Sequence, residues 1–254
     1  MTDTPDAGGP MRSLAGSAAR QSRTSRTVPV WAVVSAGLPP ILLTGGWLVA
    51  GALQPASYSP VRDTVSGLAG HAATDRWVMT GVLFLVGGCH LVTAAGLAGV
   101  RVAARALLMV AGLASIGIAA SPQPVAGSTP QHLAWTALGA ATITVWPAFT
   151  ARCTSPRPLI VSPYGCAAVT AVFLALLCWL VIETQGGSHL GMAERLTSSV
   201  QTSWPFVVAV VLWRHAARTR RPELPGEPPE ASHAQAMTTG AMTTGALCGQ
   251  RNLA

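Results

Sequence analysis

The chain has 254 residues, 50% hydrophobic and only 10% charged, with a mean hydropathy of +0.44. A soluble domain carries about 25% charged residues, so this chain lacks the polar surface to cover a water-soluble globule and is expected to sit in a membrane. The net charge of +7 excludes little by itself, but all 16 basic residues are arginine, most stand beside apolar runs, and no basic stripe or aromatic platform exists, so no nucleic acid is expected as a partner.

Residues 1–27 are rich in Ser, Thr, Gly and Arg without apolar periodicity and are expected to form a disordered cytoplasmic tail. Six apolar stretches follow, at 29–53, 77–100, 102–120, 131–150, 163–182 and 196–213. Each is near the ~20 residues that cross a ~30 Å hydrocarbon core, and in hydrocarbon a helix satisfies its own backbone. The expected architecture is all-α: a polytopic six-transmembrane-helix bundle over 28–214. The first stretch is longer than a signal-peptide core and is expected to be retained. Pro39-Pro40 and Pro205 are expected to kink or break the first and sixth spans. Residues 215–254, with PELPGEPPE and a tandem AMTTGAMTTGA, read as a second disordered cytoplasmic tail.

Arginine placement sets the orientation. Twelve arginines flank the first span's start, the second and fourth connections and the sixth span's end; only Arg62, Arg76 and Arg195 lie on the other side. By the positive-inside rule both termini are cytoplasmic, which requires the even span number counted here, and the expected location is the cytoplasmic membrane. The five cysteines form no CxxC pair, and neither a disulfide framework nor a metal site is expected. A bis-His haem between His90 and His132 fails on depth, since His90 lies about 20 Å into its span at 1.5 Å per residue and His132 lies at the edge of its own. No cofactor is expected.

The segment YSPVRDTVSGLAG, with Asp63, Thr64, Val65, Ser66 and Leu68, is followed by Asp75, Arg76 and the Trp77 that leads span two. His132 opens span four, and Glu194-Arg195 precedes span six. This pattern over roughly residues 30–213 resembles the bacterial membrane-protein family called domain of unknown function 998. The resemblance implies the six-helix bundle and no established activity.

Residues 54–76 should therefore lie outside the cytoplasm. Val61, Val65, Leu68 and Ala69 recur at helical spacing, so this stretch either lies as an amphipathic helix in the interface or folds inward over the bundle. Asp75 is expected to cap the second span. If the loop folds inward, Arg62, Asp63, Ser66, His132, Glu183, Glu194, Arg195 and Gln201 share one membrane face and form a candidate polar pocket. A Ser66–His132–Asp63 nucleophilic set is conceivable but lacks a GxSxG elbow. The expectation is a binder of a lipid headgroup or other small amphiphile, with membrane lipids as partners. The alternatives are a small-molecule transporter or a membrane-embedded hydrolase, and whether the chain is an enzyme stays open.

Overall fold

The computed structural model describes residues 28–151 and 159–219. Both tails, and the segment holding Arg152 and Arg157, lie outside the described residues, as does the disorder expected of the tails. Six long helices follow in order: α1 (Val30–Ala52), α2 (Trp77–Gly96), α3 (Val102–Ala120), α4 (Pro130–Thr150), α5 (Pro163–Glu183) and α6 (Leu190–Thr219). Among the described residues there is no strand.

Local chemistry explains where the helices start. Pro130 and Pro163 occupy the first turns of α4 and α5, where a missing N–H is harmless. The Thr129 side chain accepts from the His132 N–H, and the Ser162 side chain accepts from the Gly165 N–H. Pro39 and Pro40 lie inside a helix that runs unbroken through them, and Pro147 and Pro205 are likewise carried within α4 and α6. The expected break in the first span is thus absent. The sixth helix extends beyond the expected 196–213 at both ends.

The helix faces are those of a membrane protein. Along α1 the residues turned inward are Ala32, Ala36, Pro39, Leu43, Gly46 and Ala50, a repeat of alternating four and three. Trp31, Val34, Leu38, Ile41 and Leu48 point outward and are exposed. Small side chains inside and large apolar ones outside is the pattern expected where hydrocarbon replaces water, because helices then associate by close backbone approach. The clearest case is α5: its most apolar stretch has a mean hydropathy of 2.5, yet only 11% of it is buried within the protein. Water would not tolerate that surface.

Five of the six helices are long and apolar enough to cross a membrane. The sixth, α4, has 21 residues but carries Gln131, His132, Thr136, Thr142, Thr144 and Thr150. His132, Thr142, Thr144 and Thr150 are buried within the bundle.

Each helix packs against the next, and α6 returns to α1, so the bundle is a closed ring. Ser35 and Thr93 share a 2.9 Å hydrogen bond between α1 and α2. The Trp146 indole N–H donates to the Ala104 carbonyl at 2.8 Å, tying α4 to α3. One apolar cluster, around Leu97, Leu108, Trp146, Val208 and Leu212, fills the end carrying the chain's first described residues. A second, around Leu43, Val65, Leu68, Met79, Leu83 and Val86, joins α1, α2 and the 54–76 loop at the other end. At the first end the Arg105 guanidinium donates to the Ala94 and Ala95 carbonyls, capping the last turn of α2.

Candidate functional site

The 54–76 loop folds inward. Tight turns carry it: the Arg62 and Asp63 N–H groups both donate to the Ser59 carbonyl, and the Asp63 carboxylate accepts from the Ser59 N–H at 2.7 Å. Only Ser66–Ala69 is helical, as one 3-10 turn, with the Thr64 hydroxyl accepting from the Gly67 N–H. Of the apolar set seen at helical spacing, Val65, Leu68 and Ala69 are buried and Val61 is exposed. Gln54 closes the loop's base: its amide donates to the Thr74 carbonyl and accepts from the Thr74 N–H, both at 3.0 Å.

The expected cap by Asp75 is corrected. Arg76 holds the N-cap position of α2, and no side chain caps it. Asp75 adopts a left-handed backbone, φ 49°, and its carbonyl rather than its carboxylate accepts from Val78 N–H at 3.0 Å. Asp is one of the few residues that tolerates this conformation. Arg76 instead lies 3.9 Å over the Trp77 ring.

Two neighbouring residues at the start of α6 anchor the loop from opposite sides. The Glu194 carboxylate accepts from the Val65 N–H at 2.7 Å and the Ser66 N–H at 3.2 Å. The Arg195 guanidinium donates to the carbonyls of Pro60 (2.6 Å), Asp63 (2.9 Å) and Gly191 (2.9 Å), and to the Tyr58 hydroxyl. The Met192 N–H donates to the Val61 carbonyl at 3.0 Å. A planar five-donor guanidinium suits several carbonyls at fixed angles, as lysine would not. Gly191 is needed because the loop backbone lies directly on it: an added Cβ there would sit 2.8 Å from the Pro60 carbonyl.

Burial raises the Tyr58 hydroxyl above its ordinary value near 10, and the Arg195 charge opposes this only in part. A raised phenol favours the neutral form in the folded protein. Its contribution to loop docking is therefore complete below the unfolded value and is lost as pH rises through the folded one. The chain has two tyrosines, so a Tyr164→Phe variant isolates Tyr58. Its phenolate absorbance is expected to appear above pH 10, and at lower pH once the chain is unfolded; coincident titrations would contradict this.

Beneath the docked loop lies a cavity of about 160 Å³. Every helix contributes to its wall: Leu43 from α1, His90 from α2, Ser115 from α3, Thr136 and Ala140 from α4, Leu180 from α5, and Glu194, Ser198, Gln201 and Thr202 from α6, with Val65 and Ser66 from the loop. It exists because Gly139, Ala140, Ala111, Ser115 and Ser198 leave the centre of the ring underfilled.

Of the residues expected to share a pocket, Ser66, Glu194 and Gln201 line this cavity. Gln201 is buried and donates to Thr144 Oγ1 at 2.9 Å, as a polar group on a membrane helix must. His132 reaches Ser66 only through Gln123: the Gln123 amide donates to His132 Nε2 (3.1 Å) and to Ser66 Oγ (3.4 Å), while His132 Nδ1–H donates to the Ser121 carbonyl at 2.8 Å. The Asp63 carboxylate points into its own turn, so Ser66, His132 and Asp63 do not form a nucleophile–base–acid set here. Arg62 is exposed. Arg195 is engaged by the loop, outside the cavity wall. Glu183 accepts from Trp179 Nε1–H (3.3 Å) and the His189 N–H (2.8 Å), joining the end of α5 to the start of α6.

His90, set aside as a haem ligand, bonds the Val86 carbonyl of its own helix through Nδ1 at 2.9 Å and lines the cavity. Gln123 and Tyr58 were missed, since nothing in a single sequence marks either as a partner of Ser66 or Arg195. Among the described residues no three His, Cys, Asp or Glu side chains are placed to share a metal ion.

These features define an all-helical membrane bundle, a ring of six helices around a cavity closed at one end by a docked loop. The chain belongs to the family described as "Protein of unknown function (DUF998)", whose model matches residues 15–211. No curated protein and no solved structure proved similar to it.

Proposed function

We propose that the chain is a six-span protein of the cytoplasmic membrane, with both termini in the cytoplasm, that holds the polar end of a lipid or other small amphiphile in the cavity at its extracytoplasmic side. One observation carries the reading: all six helices and the docked loop converge on one cavity whose most polar wall, Glu194 to Thr202, faces mainly apolar residues of the other helices, with His90, Ser115 and Thr136 among them. A mixed lining of this kind suits a ligand with a polar end and an oily body. The orientation rests on the arginine count, with Arg101, Arg105, Arg214 and Arg218 at the end away from the loop. The α4 helix counts as a span because His132, Thr142, Thr144 and Thr150 are buried and hydrogen-bonded, His132 to Gln123 and Ser121, Thr144 to Gln201, and the other two to carbonyls of the helix itself.

The test is mass spectrometry of molecules that co-purify with the intact chain, compared with an Ala140→Phe variant that fills the cavity. An amphiphile enriched over the bulk membrane in the unaltered chain and lost from the variant is expected. A profile equal to bulk membrane in both would contradict the reading.

A further inference from the structure

The cavity's polar atoms differ in what they have left to offer. Its hydroxyl protons are mostly committed to the protein: Ser115 donates to the Leu83 carbonyl at 2.8 Å, Ser198 to the Glu194 carbonyl at 2.7 Å, and Thr202 to the Ser198 carbonyl at 2.7 Å. The Gln201 amide donates one N–H to Thr144. Acceptors are left over. A carbonyl can only accept, so the Nδ1–Val86 bond places the ring proton of His90 on Nδ1 and leaves Nε2 a bare lone pair. His90 is 4% exposed, lines the cavity, and has no partner on Nε2 among the described residues. The Gln201 carbonyl oxygen is likewise without a partner, and the Glu194 carboxylate, with about four acceptor positions, uses two for the loop. No Arg or Lys lies in the wall. Behind the wall, Thr136 Oγ1 is buried without a partner among the described residues.

An anion entering this space would leave water and meet a carboxylate and several lone pairs, with the second Gln201 N–H as a neutral donor. No cation there offsets its desolvation. A hydrogen-bond donor meets the reverse. An alcohol gives its proton to His90 Nε2 or the Gln201 oxygen; an ammonium faces Glu194. The volume, about 160 Å³, is close to that of engineered apolar cavities that take benzene, so it holds a polar end and its first few carbons.

Resting on the cavity reading above, we infer that the ligand's polar end is a hydrogen-bond donor without negative charge, an alkyl alcohol or amine, and that phosphates and carboxylates are excluded.

The experiment uses the full chain in non-ionic micelles and four probes of one chain length: 1-octanol, octylamine, octanoate and octyl phosphate. Ligand-observed NMR gives apparent affinities, and the difference from Ala140→Phe, or from Ser115→Leu should that variant not fold, removes partition into the micelle. Octanol and octylamine are expected to bind the cavity at least about tenfold more tightly than either anion, the penalty for burying a charge without a partner. His90→Phe is expected to weaken octanol about fivefold, one hydrogen bond's worth. If the anions bind as tightly as the alcohol and the filled variants abolish it, the inference is overturned while the cavity remains a binding site. If no probe distinguishes the unaltered chain from either filled variant, both readings fall.

Discussion

Glu194→Ala is expected to release the 54–76 loop from the bundle. Two backbone N–H groups, those of Val65 and Ser66, lose a charged acceptor at 2.7 and 3.2 Å. Both residues are buried, so water does not readily replace it. Hydrogen bonds to a charged group are worth about 1.5–3 kcal/mol each, and an orphaned buried donor costs about 1–3 kcal/mol. A loss of about 3 kcal/mol in docking raises the equilibrium constant for loop opening roughly a hundredfold. Hydrogen exchange at Val65 and Ser66 in micelles reads this directly. Glu194→Gln keeps one carbonyl oxygen and should retain part of the protection. Unchanged exchange in Glu194→Ala would mean that Arg195 and the apolar contacts of Val65, Leu68 and Ala69 hold the loop unaided.

Gly87→Leu is expected to be the most damaging substitution within the helices. A Cβ at Gly87 would lie 2.6 Å from the Gly112 carbonyl oxygen and 2.7 Å from Ile116 Cγ1, and one at Gly112 would lie 2.8 Å from the Gly87 oxygen. The α2 and α3 backbones touch there, so nothing flexible can yield. Overpacking a tight contact costs about 1–3 kcal/mol or more, and here the whole helix pair must separate. The neighbouring Gly88 supplies the control, because a Cβ there meets nothing within 4 Å. Thermal unfolding in detergent should therefore show a large loss for Gly87→Leu and a change within about 1 kcal/mol for Gly88→Leu. Equal effects at the two positions would remove the close approach from the account.

The helices were legible because hydrocarbon leaves so few options. A chain segment in lipid must satisfy its backbone internally, and that demand shows as uninterrupted apolar runs of fixed length. The loop was legible only in part. Of the four apolar residues at helical spacing, Val65, Leu68 and Ala69 are buried together and Val61 is exposed, because tight turns, one of them closed by Asp63, carry the stretch and end in one 3-10 turn. The Glu194-Arg195 pair was visible as two charges in one place. Its division of labour, carboxylate to amides and guanidinium to carbonyls, depends on a contact across about 130 residues of chain that no local pattern encodes. Asp75 failed for a local reason: its left-handed backbone turns the carbonyl, not the side chain, toward the helix. The cavity was hardest of all to foresee. It is a deficit of side-chain volume, and the Gly139-Ala140 pair and the small residues of α3 and α6 that create it look in sequence like ordinary helix contacts.

The central claim is that the 54–76 loop folds inward and docks on the start of α6, closing one end of the helix ring. Val61 and Met192 meet backbone to backbone at 3.0 Å, and both side chains are exposed. Cysteines placed at these two positions, in a background with the native cysteines replaced, can be tested in membranes with a short bis-maleimide. Near-complete cross-linking within one chain, slowed when Glu194 is also replaced by alanine, is the predicted result. Two cysteines that each react freely with a simple maleimide yet never join to one another would contradict it.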